Sequence, residues 1–159
     1  GYRHDYQGII SFDGRNIHSF SGGEWADVRK YSLSILFQEL RIFPELTALE
    51  NVLLKNRLTN HKKKKEILAL FEATGIPDKT DERAGKHSFG QQQRVAFIRS
   101  LCQPIDFIFL DEPISHLDNG NSAIMSRLLM EEAGKQGAGI IVTSIGKHLE
   151  LEYDETFRL

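Results

Sequence analysis

The sequence predicts an α/β fold in which helices flank a mostly parallel sheet. Short, continuous apolar runs, typical of buried parallel strands that are covered on both faces, lie at 33–37, 107–111 and 139–144. Between these runs, apolar residues recur at helical spacing behind capping residues. Since 159 residues can enclose a substantial core, we expect one domain over 1–159 with a helical arm over about 45–89.

The run at 107–111 ends in two adjacent carboxylates, Asp111 and Glu112, and then in Pro113, which stops the strand. Open parallel sheets bind their ligands at the carboxyl ends of the strands. Because consecutive side chains point in opposite directions, one acid could hold a metal ion while the other lies near a reacting water. An ordinary strand followed by an acidic turn explains these residues equally well.

Composition narrows the class of protein. A net charge of −2 gives no indication of a nucleic-acid or anionic-membrane binder. The basic run at 62–65 is interpreted as a solvated helix start, and the single cysteine, Cys102, as a buried core thiol in a reducing compartment. No apolar segment reaches the roughly 20 residues that span a bilayer, so membrane association is expected to come through a partner.

The segments before the first long strand carry turn and cap signals. Ile10 and Phe12 alternate with polar residues as in a strand, and the pair at 13–14, Asp-Gly, predicts a tight turn. Ser21 is expected to cap a short helix that extends to about residue 30. The strand at 33–37 then ends at Gln38.

The predicted arm begins with Thr47 and Glu50, which form a capping box before an apolar-periodic helix. A second helix is predicted over 61–74, and Gly75 ends it. After the arm, an amphipathic helix is expected over 92–101. Toward the end of the chain, the segments predict a cap region at 118–121, a helix over 122–133 and a short strand over 155–159.

Three motifs in this order carry a resemblance to a known family: Ser88-Phe89-Gly90-Gln91-Gln92-Gln93-Arg94 at a helix start, the strand ending Leu110-Asp111-Glu112-Pro113, and Ser115-His116-Leu117-Asp118. They resemble the signature motif, the Walker B strand and the D-loop of the ATP-binding subunits of ABC transporters. The segment from Gln38 to Val52 resembles the Q-loop of exporter-type ATPases related to lipoprotein release and cell division. The resemblance extends from about Gly8 to the last residue and implies a P-loop NTPase-like fold.

The resemblance implies an ATP-hydrolysing transporter subunit that binds ATP and Mg²⁺. Such a subunit works as a dimer with a second ABC ATPase subunit, at the cytoplasmic face of the membrane, with a transmembrane permease and no nucleic acid. It also implies site roles. Asp111 would hold Mg²⁺ through water, Glu112 would polarise the attacking water, and Gln38 would complete that site. Ser88, Gly90 and Gln91 would reach the nucleotide of the other subunit, and Asp118 would bridge the two subunits.

The chain departs from the family pattern in three places. The P-loop pattern G-x-x-x-x-G-K-[ST] does not occur in the sequence, which indicates either a shortened fragment, the simpler interpretation, or a lost phosphate loop. His87 and Phe89 replace an apolar residue and a glycine of the signature motif. Ile145 stands where the family has its switch histidine, with His148 three residues later; either His148 substitutes or the switch is lost.

These departures lead to several expectations. The 159-residue chain is expected to bind ATP weakly or not at all, and not to hydrolyse it as it stands, because P-loop amides and lysine supply most phosphate contacts. The strand at 139–144 is expected to form an unpaired, association-prone edge, and His116 is interpreted as an exposed turn residue rather than a metal ligand. Two alternatives remain open: a degenerate, non-hydrolysing regulatory subunit, and a non-transport ABC ATPase of translation or DNA repair.

Overall fold

The computed structural model describes residues 6–114, 118–145 and 148–158, and it has the predicted α/β architecture. Its main sheet contains three parallel strands, β3 (Leu33–Leu36), β4 (Phe107–Asp111) and β5 (Gly139–Thr143), in the order β3-β4-β5. The register places Leu36 opposite Leu110 and Asp111 opposite Thr143. All three strands therefore end at one edge of the sheet.

The first strands form a small hairpin, β1 (Ser11–Phe12) and β2 (Arg15–Asn16). The predicted turn between them is confirmed, because Asp13 and Gly14 both have positive φ angles, 49° and 71°. Two consecutive left-handed residues match the right-handed twist of the flanking strands. The hairpin is separate from the main sheet.

Five α-helices are described, and most of them begin at a polar cap. They are α1 (Gly22–Tyr31), α2 (Ala48–Asn56), α3 (Lys64–Ala73), α4 (Phe89–Ser100) and α5 (Asn119–Gln136). Ser21, Thr47 and Ser88 form capping boxes with Glu24, Glu50 and Gln91, so the predicted caps at Ser21 and Thr47 are confirmed. These caps satisfy backbone N–H groups that have no partner within the helix.

The core lies between the sheet and the helices α4 and α5. Ile108 and Leu110 of β4 belong to one buried cluster with Phe97 of α4 and with Met125 and Leu129 of α5. The same cluster continues into the predicted arm through Val52 of α2 and through Ile67 and Phe71 of α3. One continuous core therefore joins the arm to the sheet.

The expectation that β4 is covered on both faces is wrong for the described residues. Burial alternates along the strand: Ile108 and Leu110 are 0% and 1% exposed, whereas Phe107 and Phe109 are 38% and 37% exposed. Ile108 and Leu110 belong to the buried cluster, whereas Phe107 and Phe109 do not. On the other side, the ring of Phe12 makes an edge contact with Phe107 at 6.1 Å between centroids.

Several other expectations need correction. The helix predicted from residue 61 begins at Lys64, the one predicted from 122 begins at Asn119, and residues 155–158 form no strand. Lys62 is not solvated, because its ammonium group forms an ion pair with Glu132 in which both side chains are about nine-tenths buried. Cys102 is buried as predicted, and burial raises the pKa of its thiol to about 12.

Candidate functional site

The carboxyl edge of the sheet gathers the predicted metal and water-binding residues. Asp111 is the last residue of β4, and its Oδ1 accepts a hydrogen bond of 2.6 Å from Oγ1 of Thr143 on β5. Gln38 follows β3 by two residues and is exposed. Because β3 and β4 are parallel and in register, Gln38 leaves the sheet at the same edge as Asp111.

Glu112 has an unusual backbone and several contacts. Its φ angle is 49°, in the left-handed region that non-glycine residues adopt only at a cost. Its N–H donates to the carbonyl of Thr143 at 3.0 Å. Its carboxylate Oε1 accepts a hydrogen bond of 2.5 Å from the backbone N–H of Ile145. Both bonds connect the predicted catalytic acid to the end of β5.

The signature-like motif forms the start of α4. Ser88 is the N-cap: its hydroxyl accepts from the N–H of Gln91 at 3.3 Å, and the Gln91 side chain accepts from the N–H of Ser88 at 2.9 Å. Gly90 lies in the first helical turn, where backbone N–H groups face outward and favour an anion. Phe89, the first helical residue, is 44% exposed at this end.

His87, the residue before the cap, lies inside the protein. Its side chain is fully buried, and its Nε2 lies 3.4 Å from a carboxylate oxygen of Glu82. Neither ring nitrogen has a hydrogen-bond partner within the part of the chain that is described. Burial lowers the pKa of His87, and the Glu82 carboxylate only partly opposes this effect. The imidazole therefore occupies the apolar position of the family motif as a neutral core group at pH 7.

Asp118 caps α5 and is connected to α4. Its two carboxylate oxygens accept from the backbone N–H and the side-chain amide of Asn121, at 2.9 and 2.7 Å. The backbone N–H of Asn121 is the main reason that the pKa of Asp118 lies below its usual value. Arg94 of α4 donates to the same Asn121 at 3.1 Å. The rest of the predicted D-loop, including His116, lies outside the described residues.

The switch position has an exposed side chain and an engaged backbone. Ile145 is 92% exposed, whereas its backbone N–H is bonded to the carboxylate of Glu112. His148 makes a contact of 2.7 Å from its Nδ1 to the hydroxyl of Ser144. The two residues between them, 146 and 147, are outside the described ranges, so the expectation about His148 stays a prediction.

The residues at this edge carry oxygen donors that fit a magnesium ion. Asp111 and Glu112 supply carboxylate oxygens, and Gln38 and Thr143 supply neutral oxygens, the hard donors that Mg²⁺ prefers. In protein–nucleotide sites Mg²⁺ commonly takes one or two carboxylates and completes its shell with water and phosphate. The described residues contain no cluster of three or more His, Cys, Asp or Glu side chains that could hold a metal ion.

A groove beside the Gln38 edge is lined by cations and aromatic rings. The cavity has a volume of about 330 Å³, and its lining includes Phe37, Phe43, Arg29, Lys55 and Arg99. Burial lowers the pKa of Lys55, and the neighbouring Arg99 and Arg29 lower it further.

Among the described helices, none is long and apolar enough to cross a membrane.

An open parallel sheet with two acids at its carboxyl edge has them where α/β proteins bind their ligands. A family model described as "ABC transporter" matches residues 1–115. The chain belongs to this family.

Two curated relatives and one solved structure illustrate the similarity. An uncharacterized ABC transporter ATP-binding protein of Mycobacterium tuberculosis is 31% identical over 150 residues, which cover 91% of this chain and 44% of the relative. The lipoprotein-releasing system ATP-binding protein LolD of Syntrophotalea carbinolica is 30% identical over 155 residues, covering 96% and 68%. The dimeric structure of MJ0796, described as a bacterial ABC transporter cassette, superposes with a TM-score of 0.74 at 25% identity, covering 86% and 62%.

These comparisons confirm the resemblance and the fold that the sequence predicted. A second structure of MJ0796 is described as a dimer in a post-hydrolysis state bound to ADP and Pi, and it superposes with a TM-score of 0.72. The chain spans less than half of the mycobacterial relative and 62% of the MJ0796 chain.

Proposed function

We propose that this chain is part of an ATP-hydrolysing subunit that drives a membrane permease from the cytoplasmic face of the membrane. Mg-ATP would lie at the carboxyl edge of the sheet, between two such subunits. The observation that carries this proposal is the acid pair at that edge, with Asp111 bonded to Thr143 and Glu112 held in a left-handed turn. The names of the relatives support the transporter assignment, and the dimeric MJ0796 cassette supports the pairing.

In this proposal, Asp111 binds the hydrated metal ion. The hydroxyl of Thr143 donates to Oδ1 of Asp111 and so fixes the rotation of the carboxylate, which leaves lone pairs of the other oxygen for water in the metal's shell. Gln38 approaches the same place from β3 with a neutral amide oxygen. A bound Mg²⁺ would neutralise charge that develops on the phosphate oxygens.

Glu112 is proposed to accept a proton from, or orient, the attacking water. Phosphoryl transfer depends mainly on positioning and charge neutralisation, so the direction of this carboxylate matters more than its basicity alone. The bond from the N–H of Ile145 holds one of its oxygens. When a nucleotide and water enter, the Glu112 carboxylate is proposed to accept a hydrogen bond from that water.

The start of α4 is proposed to contact the nucleotide that is bound to the partner subunit. The hydroxyl of Ser88 accepts within its own cap, and its O–H can still donate to a phosphate oxygen. The N–H groups around Gly90 add the favourable end of the helix dipole. The exposed ring of Phe89 narrows the approach at the first helical position, so this contact is expected to be weaker than in a glycine-containing motif.

Two further regions are proposed to contact partners. Asp118 is the N-cap of α5, and a second subunit would meet it there. The groove lined by Phe37, Lys55 and Arg99 lies next to Gln38 and between the sheet and α2. A permease segment that binds in this groove would therefore contact the residue that follows β3 and could sense the state of the nucleotide site.

The test is the substitution Glu112→Gln in a chain that carries a P-loop ahead of these residues, either natural or grafted from a relative. We expect ATP turnover to fall by roughly 10²-fold or more, the scale for losing a general base, while ATP still binds. Steady-state hydrolysis and calorimetry with Mg-ATP measure the two quantities. Glu131→Gln, on the exposed surface of α5, is the matched control and should leave both unchanged.

The outcomes separate the alternatives. Turnover like that of the unsubstituted chain in the Glu112→Gln variant would contradict the role of Glu112. Tight ATP binding without turnover in the unsubstituted chain would favour the degenerate regulatory subunit, for which Phe89 and Ile145 are the supporting residues.

A further inference from the structure

Gln93 is a buried polar residue on the face of α4 that packs toward the acid-bearing turn. Only 1% of the residue is exposed. Its Nε2 donates to the carbonyl of Pro113 at 2.7 Å and to the carbonyl of Glu112 at 3.3 Å. One side chain thus binds two consecutive carbonyl groups of the turn that carries the proposed catalytic acid.

The burial of this amide has a cost that its bonds only partly offset. Its Oε1 has no hydrogen-bond partner within the described part of the chain, and an unsatisfied buried acceptor costs free energy of folding. An apolar side chain of the same size would avoid that cost. A glutamine at this position is therefore explained better by what its N–H groups hold than by stability.

The turn needs such support because of its backbone. Glu112 has a φ angle of 49°, and a left-handed residue with a side chain persists only where surrounding contacts hold it. On one side the N–H of Glu112 is bonded to the end of β5. On the other side its carbonyl is bonded to Gln93. The peptide groups on either side of the Glu112 side chain are thus fixed by two different elements.

We propose that Gln93 is a positioning residue that sets the direction of Glu112 and connects it to the start of α4. Gln93 lies five residues after Ser88 in the same helix, so a shift of α4 at its phosphate-facing end also moves the two carbonyl bonds. Engagement of a nucleotide at Ser88 and Gly90 of one subunit is thereby transmitted to the water-polarising acid of that same subunit. This inference rests on the function proposed above.

The test compares Gln93→Met with Gln103→Met. Gln103 is a matched control: it is fully buried, its Nε2 donates to a proline carbonyl at 3.1 Å, and its Oε1 also has no partner among the described residues. In a chain that carries a P-loop, we expect Gln93→Met to lower kcat by about tenfold, within the range for misplacing a catalytic group. KM for ATP should change less than about twofold, and Gln103→Met should alter neither.

Two additional variants show that Gln93 acts through Glu112. In a Glu112→Gln background, Gln93→Met should cause no further loss, because residues that act as a unit are not additive. In Gln93→Glu, the carboxyl group has an O–H that can donate to the carbonyl of Pro113 only when it is protonated. Turnover relative to the unsubstituted chain should therefore rise as pH is lowered. A purely structural defect would lower activity by the same factor at every pH.

A second measurement, which does not depend on ATP hydrolysis, follows amide hydrogen exchange in the 159-residue chain itself. Amide hydrogen exchange at Glu112 should accelerate at least severalfold in Gln93→Met, while exchange at Ile108 stays as it was. The inference is overturned if Glu112→Gln is inactive but Gln93→Met matches Gln103→Met in both kcat and Glu112 exchange. If Glu112→Gln instead retains turnover, the proposed function fails, and the exchange experiment alone decides whether Gln93 holds the turn.

Discussion

The two faces of β4 differ sharply although one apolar run supplies both. Ile108 and Leu110 lie in the core at 0% and 1% exposure, whereas Phe107 and Phe109, which alternate with them, are more than a third exposed. The larger aromatic side chains thus lie on the less buried face. This pattern is the opposite of what residue size and hydrophobicity alone would suggest.

An apolar run in the sequence identifies the residues that can be buried. It does not show which of them the fold buries. The residues of the Ile108 face belong to the buried cluster that also contains Phe97 of α4 and Met125 and Leu129 of α5. On the Phe109 face, the hairpin reaches the strand through the contact of Phe12 with Phe107. Stability should therefore depend much more on one face than on the other.

The largest expected difference comes from Ile108→Ala compared with Phe109→Thr. The first creates a cavity in a packed core and should lower the free energy of unfolding by about 2–5 kcal/mol. The second replaces a partly exposed ring with a β-branched residue that suits a strand and should cost roughly 1 kcal/mol or less. Urea unfolding of the two variants, followed by circular dichroism, measures both free energies.

Equal losses in the two variants would contradict the comparison, because they would mean that the Phe109 face is packed as tightly as the Ile108 face. An unchanged m-value serves as the control that the extent of unfolding is the same in each variant.

The next largest effect concerns the buried ion pair between Lys62 and Glu132. Lys62→Met should lower the free energy of unfolding by about 2 kcal/mol, somewhat less than the usual cost of leaving a buried charge unpaired, because Lys135 still donates to Glu132 at 3.1 Å. Lys135→Met, at a largely exposed side chain, should cost less than about 1 kcal/mol. Urea unfolding at neutral pH measures both.

The same pair predicts a pH dependence. Burial raises the pKa of Glu132, but the bonds and charges of Lys62 and Lys135 outweigh it, so the pKa lies below its ordinary value of 4.5. A carboxyl group whose pKa is lowered by folding contributes stability above the ordinary value and loses it as pH falls through the lowered one. The deficit of Lys62→Met should therefore shrink below about pH 4.5, and a deficit that is constant down to pH 3 would contradict this origin.

The smallest effect concerns the two sides of β5. The N–H of Gly139 bonds to the carbonyl of Asp106, the residue before β4. In a parallel ladder Ile141 and Thr143 therefore also point their N–H groups toward β4, whereas Ile140 and Val142 point away. Within the described residues, β5 pairs with no strand other than β4. We expect the amides of Ile140 and Val142 to exchange quickly in the dilute 159-residue chain, with Ile108 as the protected control.

Protection of Ile140 and Val142 that increases with protein concentration would indicate that this edge pairs with another chain. Strong protection in a strictly monomeric sample would mean that a further segment covers the edge, and the predicted unpaired edge would be wrong.

The sequence alone determined the local elements and the chemistry of the edge. Capping residues such as Ser21 and Thr47, the turn at Asp13 and the short apolar runs act through neighbours along the chain, so their structures could be predicted. The order of the motifs indicated the family. The acids at 111–112 could be placed at the carboxyl edge because parallel strands end together.

Only the tertiary structure decided which groups satisfy one another across distant segments. It buried Lys62 against Glu132, left one face of β4 exposed, joined Asp111 to Thr143, and placed the amide of Gln93 on the turn of Glu112. Hydrogen bonds and burial of this kind depend on positions brought together by packing, which no spacing along the chain encodes. The physical reason is that a side chain's surroundings are a property of the packed elements and not of its sequence neighbours.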